Sequence, residues 1–153
     1  CVLDDYPTGN VVNRPYFIGD RTQIEPAVIV AVDVPDDLAI LQSALPARAL
    51  KLQDHDVKWG QKVKIAGHPF GWPEPVLFFG TVANPATLFT TADKPYMIIQ
   101  AAGAPGNSGS AIVNEHDEVV SVVQISWTRT FGNVLGGSPW TRLVQFAGSY
   151  FEN

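Results

Sequence analysis

Residues 103–111, Gly-Ala-Pro-Gly-Asn-Ser-Gly-Ser-Ala, carry the strongest chemical signal in the chain. Ser108 lies among glycines and between two apolar runs, 96–100 and 111–113. Glycine adopts backbone angles that other residues resist, and it lets a substrate carbonyl approach closely. The pattern predicts a nucleophilic serine on a tight turn, with the backbone N–H groups of Gly106 and Ser108 forming an oxyanion hole. A plain Gly-Ser hairpin turn is the alternative interpretation.

A serine nucleophile needs a partner that takes its proton. That base is normally a histidine, which a carboxylate orients. Asp37 is the candidate carboxylate, because the apolar run that follows it would anchor its backbone while its side chain stands at the strand edge. Asp36 is the competitor, and an ordinary turn aspartate is the alternative interpretation.

The segments that must position these residues are short and mostly extended. Alternating or β-branched runs predict strands at 26–33, 37–42, 62–66, 76–82, 96–100, 110–113 and 119–125. One helix is predicted from Pro139 onwards, with an apolar face made of Leu143, Phe146, Ala147, Tyr150 and Phe151. Closely spaced strands with a single terminal helix predict an all-β barrel or sandwich.

Composition narrows the functional classes. The chain has 153 residues and a formal charge of −5, without the basic stripe typical of nucleic-acid binding. Its longest apolar runs fall short of the ~20 residues of a transmembrane helix. No His or Cys pair has metal-ligand spacing, so neither a metal nor another cofactor is expected.

Three motifs occur in an order that resembles the chymotrypsin-like serine proteases, above all the HtrA/Deg and glutamyl-endopeptidase branches. They are Asp37-Leu-Ala-Ile-Leu, the segment 60–71 with its Gly-His-Pro-Phe-Gly turn, and Gly106-Asn-Ser-Gly-Ser-Ala. The resemblance implies a serine endopeptidase that cleaves polypeptides through an acyl-enzyme. It also implies an all-β, chymotrypsin-like double β-barrel, with the first barrel incomplete and a C-terminal helix. The expected boundaries are 1–50, 51–138 and 139–153.

The resemblance also implies a substrate pocket. Ala102 is expected at its base, and Ser126, Trp127, Thr128 and Ser138 are expected along its walls. None of these residues is acidic, so a preference for Arg or Lys at the cleavage site is not expected. Small or medium apolar side chains, or a polar one held by Ser138 and Thr128, fit better.

The chain departs from the family at the catalytic histidine, since no histidine precedes Asp37. We expect the missing residue immediately upstream of Cys1, in a segment that would complete the first barrel, and we expect this chain alone to be inactive. The three histidines present are poor replacements. His55 lies in a charged loop, His68 in a turn and His116 at a hairpin tip.

Two other functions stay open at this stage. The chain could be a catalytically inert protease-like domain that serves as a binding or structural module. Cys1 could also act as an N-terminal nucleophile with its own amine as base, although this leaves the Ser108 motif unexplained. The compartment is not fixed, and a secreted or extracytoplasmic location is favoured.

Overall fold

The structure is a computed structural model that describes residues 15–19, 22–88, 94–127 and 133–151. The chain divides into two compact units, residues 1–49 and 50–153. Cys1 and Thr128 lie outside the described residues.

The first unit contains a three-stranded antiparallel sheet in the order β1-β2-β3. Its strands are β1 (Tyr16–Gly19), β2 (Ile24–Asp33) and β3 (Leu38–Ser43). The β-branched run of β2 pairs with both neighbours, as its composition predicts. β1 was not predicted, and Asp37 lies in the turn before β3 rather than inside the strand.

The second unit is built around a closed barrel with the strand order β4-β5-β6-β9-β8-β7. The strands are β4 (Lys62–Gly67), β5 (Val76–Thr87), β6 (Tyr96–Ala101), β7 (Ala111–Val113), β8 (Val119–Ser126) and β9 (Val134–Gly137). Closure pairs each of these strands on both sides. The all-β prediction is therefore confirmed, with one C-terminal helix.

Apolar side chains at alternate positions of the strands fill the interior of the barrel. In β4, Val63 and Ile65 are buried while Lys62 and Lys64 point outward. The buried cluster contains Val57, Val63, Ile65, Val82, Met97, Ile99, Ala101, Ile112, Val120, Val123 and Leu135. Most of these residues come from predicted strands, so the sequence pattern located the core.

β9 is the second strand that the sequence analysis missed. It lies between β6 and β8 and closes the barrel. Two of its four residues, Gly136 and Gly137, are glycines with low strand propensity. Neither position has space for a side chain, because an added Cβ would lie 2.6 Å from the Trp127 ring at Gly136 and 2.3 Å from Ser121 Oγ at Gly137.

The helix α1 (Trp140–Phe151) follows β9 directly. The Trp140 ring packs against the core cluster, and its Nε1–H donates to the Gln53 carbonyl at 3.1 Å. Leu143 is buried as predicted, whereas Tyr150 is 40% exposed, so the predicted apolar face is covered only in part. Within the described ranges, no helix has the length and apolar character needed to cross a bilayer.

Candidate active site

Ser108 lies on two consecutive β-turns between β6 and β7. The Asn107 N–H donates to the Ala104 carbonyl at 3.2 Å, and the Ser110 N–H donates to the Asn107 carbonyl at 3.0 Å. The third residues of these turns, Gly106 and Gly109, have φ of +101° and +87°. A type II turn requires positive φ at that position, which explains why both residues are glycines. Ser108 takes the second position of the second turn and is exposed to solvent.

The backbone amides of this segment separate into two groups. Asn107, Gly109 and Ser110 each donate their N–H to a carbonyl. The N–H groups of Gly106 and Ser108 have no acceptor among the described residues. Two unbonded amide hydrogens therefore flank Asn107 beside an exposed hydroxyl, an arrangement able to stabilise a developing oxyanion.

The direction of the Gly106 amide is set by a neighbouring turn. The Phe70 N–H donates to the Pro105 carbonyl at 2.7 Å. In a planar trans peptide the C=O and N–H groups point in opposite directions, so the Gly106 N–H points away from Phe70. A Cβ added at Gly106 would lie 2.5 Å from the His68 carbonyl oxygen, which fixes glycine there.

β8 holds the other end of the segment. The Gly109 N–H donates to the Val123 carbonyl at 2.8 Å, and the Val123 N–H donates to the Ser110 carbonyl at 2.9 Å. The turn carrying Ser108 is thus attached to a strand of the closed barrel. Such attachment holds a nucleophile in place before substrate arrives.

Asn107, directly before the serine, is only 1% exposed, and neither polar atom of its side chain has a hydrogen-bond partner among the described residues. A Cβ added at Gly67 would lie 2.6 Å from Asn107 Oδ1 and 2.7 Å from Ser110 Oγ. Gly67 therefore makes room for this amide. Sequence analysis did not single out Asn107, although its place inside the Gly-Asn-Ser-Gly motif was a usable signal.

Asp37 belongs to the first unit and closes the turn between β2 and β3. Its N–H donates to the Val34 carbonyl at 3.2 Å, and its φ is +52°. Aspartate is one of the few residues that adopt this conformation at modest cost. Asp37 is exposed, whereas Asp36 is 5% exposed and its N–H donates to Asp33 Oδ1 at 3.1 Å. The choice of Asp37 over Asp36 stays a prediction.

Three of the predicted pocket residues lie on or next to β8 and β9. Ser126 ends β8 and is exposed, and the Trp127 N–H donates to the Val134 carbonyl at 2.9 Å. The Trp127 ring lies over Gly136 and meets Tyr96 edge-on, with centroids 5.4 Å apart. Ser138 follows β9, is 1% exposed, and its hydroxyl has no partner in the described part of the chain.

Ala102 has a different setting. It lines an open groove of about 790 Å³ on the outer face of β4, β5 and β6. Ser108, Trp127 and Ser138 are not among the residues lining this groove. The placement of Ala102 at a pocket base therefore stays a prediction, and Thr128 lies outside the described residues.

Each of the three histidines has a hydrogen bond or polar contact close to it in the chain. His55 Nδ1 donates to Asp54 Oδ1 at 2.8 Å on an exposed loop, and this contact lowers the pKa of the Asp54 carboxyl. His68 Nδ1 contacts the Trp72 carbonyl at 2.9 Å, and the His116 N–H donates to Asn114 Oδ1 at 2.8 Å. Clusters of three metal-ligand side chains are not found in the parts of the chain that the structure describes.

Comparison with known protein families finds one that matches most of the chain. The profile described as a trypsin-like peptidase domain matches residues 1–122. That range includes the β2–β3 turn with Asp37 and the double turn with Ser108.

Curated relatives match over a similar part of the chain. A probable periplasmic DegP-like serine endoprotease from Ectopseudomonas mendocina is 30% identical over 118 residues, covering 75% of this chain and 24% of the relative. Its counterpart in Pseudomonas putida (strain W619) is 32% identical over 119 residues, with the same coverage. The chain spans about a quarter of the length of these relatives.

Solved structures show the same fold. The Rv3671c protease of M. tuberculosis in its active form has a TM-score of 0.74 at 18% identity, covering 86% of this chain and 61% of that one. Its inactive form has a TM-score of 0.74 at 18% identity, covering 88% and 71%.

Proposed function

Because this chain belongs to the trypsin-like peptidase domain family, we propose that it forms the catalytic core of a serine endopeptidase with Ser108 as nucleophile. One observation carries the proposal. The exposed Ser108 lies on a fixed double turn where its own N–H and that of Gly106 are unbonded, while the intervening Asn107 N–H is used. Both residues are exposed, so these two amides are open to a substrate carbonyl oxygen on the same side of the turn as the hydroxyl-bearing residue.

The proposed reaction follows from this geometry. Ser108 Oγ attacks the carbonyl carbon of a substrate peptide, and its proton passes to the general base. The carbonyl oxygen becomes an oxyanion held by the Gly106 and Ser108 N–H groups. The base then protonates the departing amine as the C–N bond breaks, leaving an ester on Ser108. A water molecule repeats the sequence and releases the carboxylic acid.

The general base in this proposal is the histidine expected before Cys1, and Asp37 orients it. This assignment is supported by the order of the family motifs, since the chain has a carboxylate in the turn just before β3 and a serine at the double turn. His55, His68 and His116 each lie in a setting that a structural role accounts for.

We propose polypeptides as the substrate, recognised in part by Ser126, Trp127 and Ser138. The buried hydroxyl of Ser138 has no partner among the described residues. A buried polar group without a partner is costly, so a polar substrate side chain that bonds to it would be favoured. The names of the relatives support an extracytoplasmic location, because they are called periplasmic.

A second candidate function is an inert protease-like module that binds polypeptides without cleaving them. The observation in its favour is that His55, His68 and His116 each have a contact that a structural role accounts for. The exposed Ser108 hydroxyl beside two open amides argues against it, because acyl transfer requires that combination of groups.

Labelling with a fluorophosphonate distinguishes these two functions. The protein with its own upstream sequence should form a covalent adduct at Ser108, located by mass spectrometry, and Ser108→Ala should abolish it. Ser110→Ala is the matched control, because it removes a neighbouring hydroxyl and should keep the adduct. Absence of labelling and of casein cleavage in the unsubstituted protein would leave the binding module as the function.

A further inference from the structure

Phe70 has a backbone conformation that its side chain does not favour. It lies in the short 3₁₀ turn Pro69–Gly71 with φ 55° and ψ 20°, in the left-handed region. A bulky L-residue is strained there because its Cβ crowds the carbonyl that follows. Its side chain is nevertheless 68% exposed, so burial of the ring in the barrel does not compensate for the strain.

The backbone role of Phe70 does not explain the ring. Its N–H fixes the Pro105 carbonyl, and hence the Gly106 amide, but glycine would supply the same N–H without strain. Gly71, the next residue, has φ +72° and shows that glycine is used where only this conformation is needed. An aromatic side chain in such a position calls for a separate function.

The position of Phe70 relative to the double turn suggests that function. Its amide is bonded to the residue before Gly106, and the carbonyl of His68 lies against Gly106 itself. Trp72, two residues further on, is also more than half exposed. Two aromatic side chains, those of Phe70 and Trp72, are therefore exposed on the turn that supports the proposed oxyanion hole. Pro69, the residue before Phe70, is buried.

We propose that the Phe70 ring is a substrate contact that binds an apolar side chain of the polypeptide close to the scissile bond. The inference rests on the proposed function, because it assumes that the peptide to be cut lies at the double turn. A rigid, exposed aromatic ring gives a large apolar contact at a small cost in side-chain entropy. The occupant is the extended substrate itself.

The test measures binding and stability in the same variants. In a Ser108→Ala background of the protein with its own upstream sequence, Phe70→Gly should weaken binding of fluorescein-labelled β-casein about tenfold. The same change should raise the thermal midpoint by about 3 °C, because the strain is relieved. Because Phe70→Gly also frees the turn that holds the Gly106 amide, a second variant is needed to separate loss of the ring from loss of rigidity.

Two further variants isolate the ring. Phe70→Ala removes it while the backbone stays strained, so affinity should fall as in Phe70→Gly without the rise in midpoint. Trp59→Ala removes an equally exposed aromatic ring, 68%, from the turn before β4, and should leave affinity unchanged.

Equal casein affinity in Phe70→Gly, Phe70→Ala and the Ser108→Ala parent would overturn the inference, as would an equal loss in Trp59→Ala. The binding measurement needs no catalysis, so its outcome is independent of the labelling experiment. If Ser108 is not labelled but Phe70→Gly weakens casein binding, the Phe70 contact is supported and the proposed reaction is wrong.

Discussion

Two buried asparagines in the same barrel have opposite surroundings. Asn114, which begins the hairpin between β7 and β8, is 4% exposed and saturated with hydrogen bonds. Its Nδ2 donates to Gln53 Oε1 at 2.9 Å and to Glu118 Oε2 at 2.7 Å. Its Oδ1 accepts the N–H groups of His116 at 2.8 Å and Glu118 at 3.0 Å.

Asn107, in the double turn, is buried even more deeply, yet its side-chain amide has no partner among the described residues and the N–H groups on either side are unbonded. Buried polar side chains in a turn that only links strands are normally hydrogen-bonded. A turn that leaves several of them open is where a protein keeps binding capacity for something else. The difference supports the proposal that the double turn is the functional one.

The largest expected effect comes from Gly106→Ala. The added methyl would meet the His68 carbonyl at 2.5 Å and the Phe70 nitrogen at 3.0 Å, so the Pro105–Gly106 peptide must shift. Loss of one oxyanion donor lowers kcat by about 10²–10³. Steady-state hydrolysis by the protein with its upstream sequence should show this loss in kcat with little change in KM.

Gly60→Ala is the control for Gly106→Ala. Gly60 also has positive φ, +76°, but no atom lies within 4 Å of an added Cβ. The control should therefore lose some stability and keep its kcat. Comparable kcat in the two variants would remove the Gly106 amide from the mechanism.

The next effect is on stability and concerns Asn114. Asn114→Ala removes a buried bond to Gln53 Oε1 and three partly buried bonds to the His116 N–H, the Glu118 N–H and the Glu118 carboxylate. Unsatisfied buried groups cost about 1–3 kcal/mol each, so we expect the free energy of unfolding to fall by about 3 kcal/mol. Urea titration followed by tryptophan fluorescence measures it.

The smallest effect is predicted for Asn107→Ala. The substitution removes an amide that is buried without a protein partner, and relief of that desolvation offsets the lost packing. The free energy of unfolding should change by less than about 1 kcal/mol. A loss as large as that of Asn114→Ala would mean that Asn107 is bonded, for instance to a buried water, and would end the contrast between the two turns.

The local pattern of apolar and polar residues was sufficient to predict most of the strands. Alternation in Lys62–Gly67 and the β-branched run in β2 gave strands that the structure contains. β1 and β9 were both missed, and in β9 two of the four residues are glycines with low intrinsic strand propensity. β9 is a strand because β6 and β8 pair with it, which is a long-range effect.

The candidate site likewise has features that the sequence predicted and features that it did not. The glycines around Ser108 predicted a tight turn with an exposed serine. Positive φ favours glycine at a single position, so it leaves a signal in the sequence. The role of Phe70 and Pro105 left no comparable signal, since the bond between them joins residues far apart in the chain.

The sequence by itself determined the residue types of a nucleophilic turn, the strands that carry it and the family to which they belong, because propensity, periodicity and positive φ act over a few residues. Only the tertiary structure decided which amides stay unbonded, which asparagine is satisfied and which aromatic ring faces solvent. Those outcomes depend on which atoms the closed barrel brings within 3 Å of one another, and neighbouring residues in the chain do not specify that.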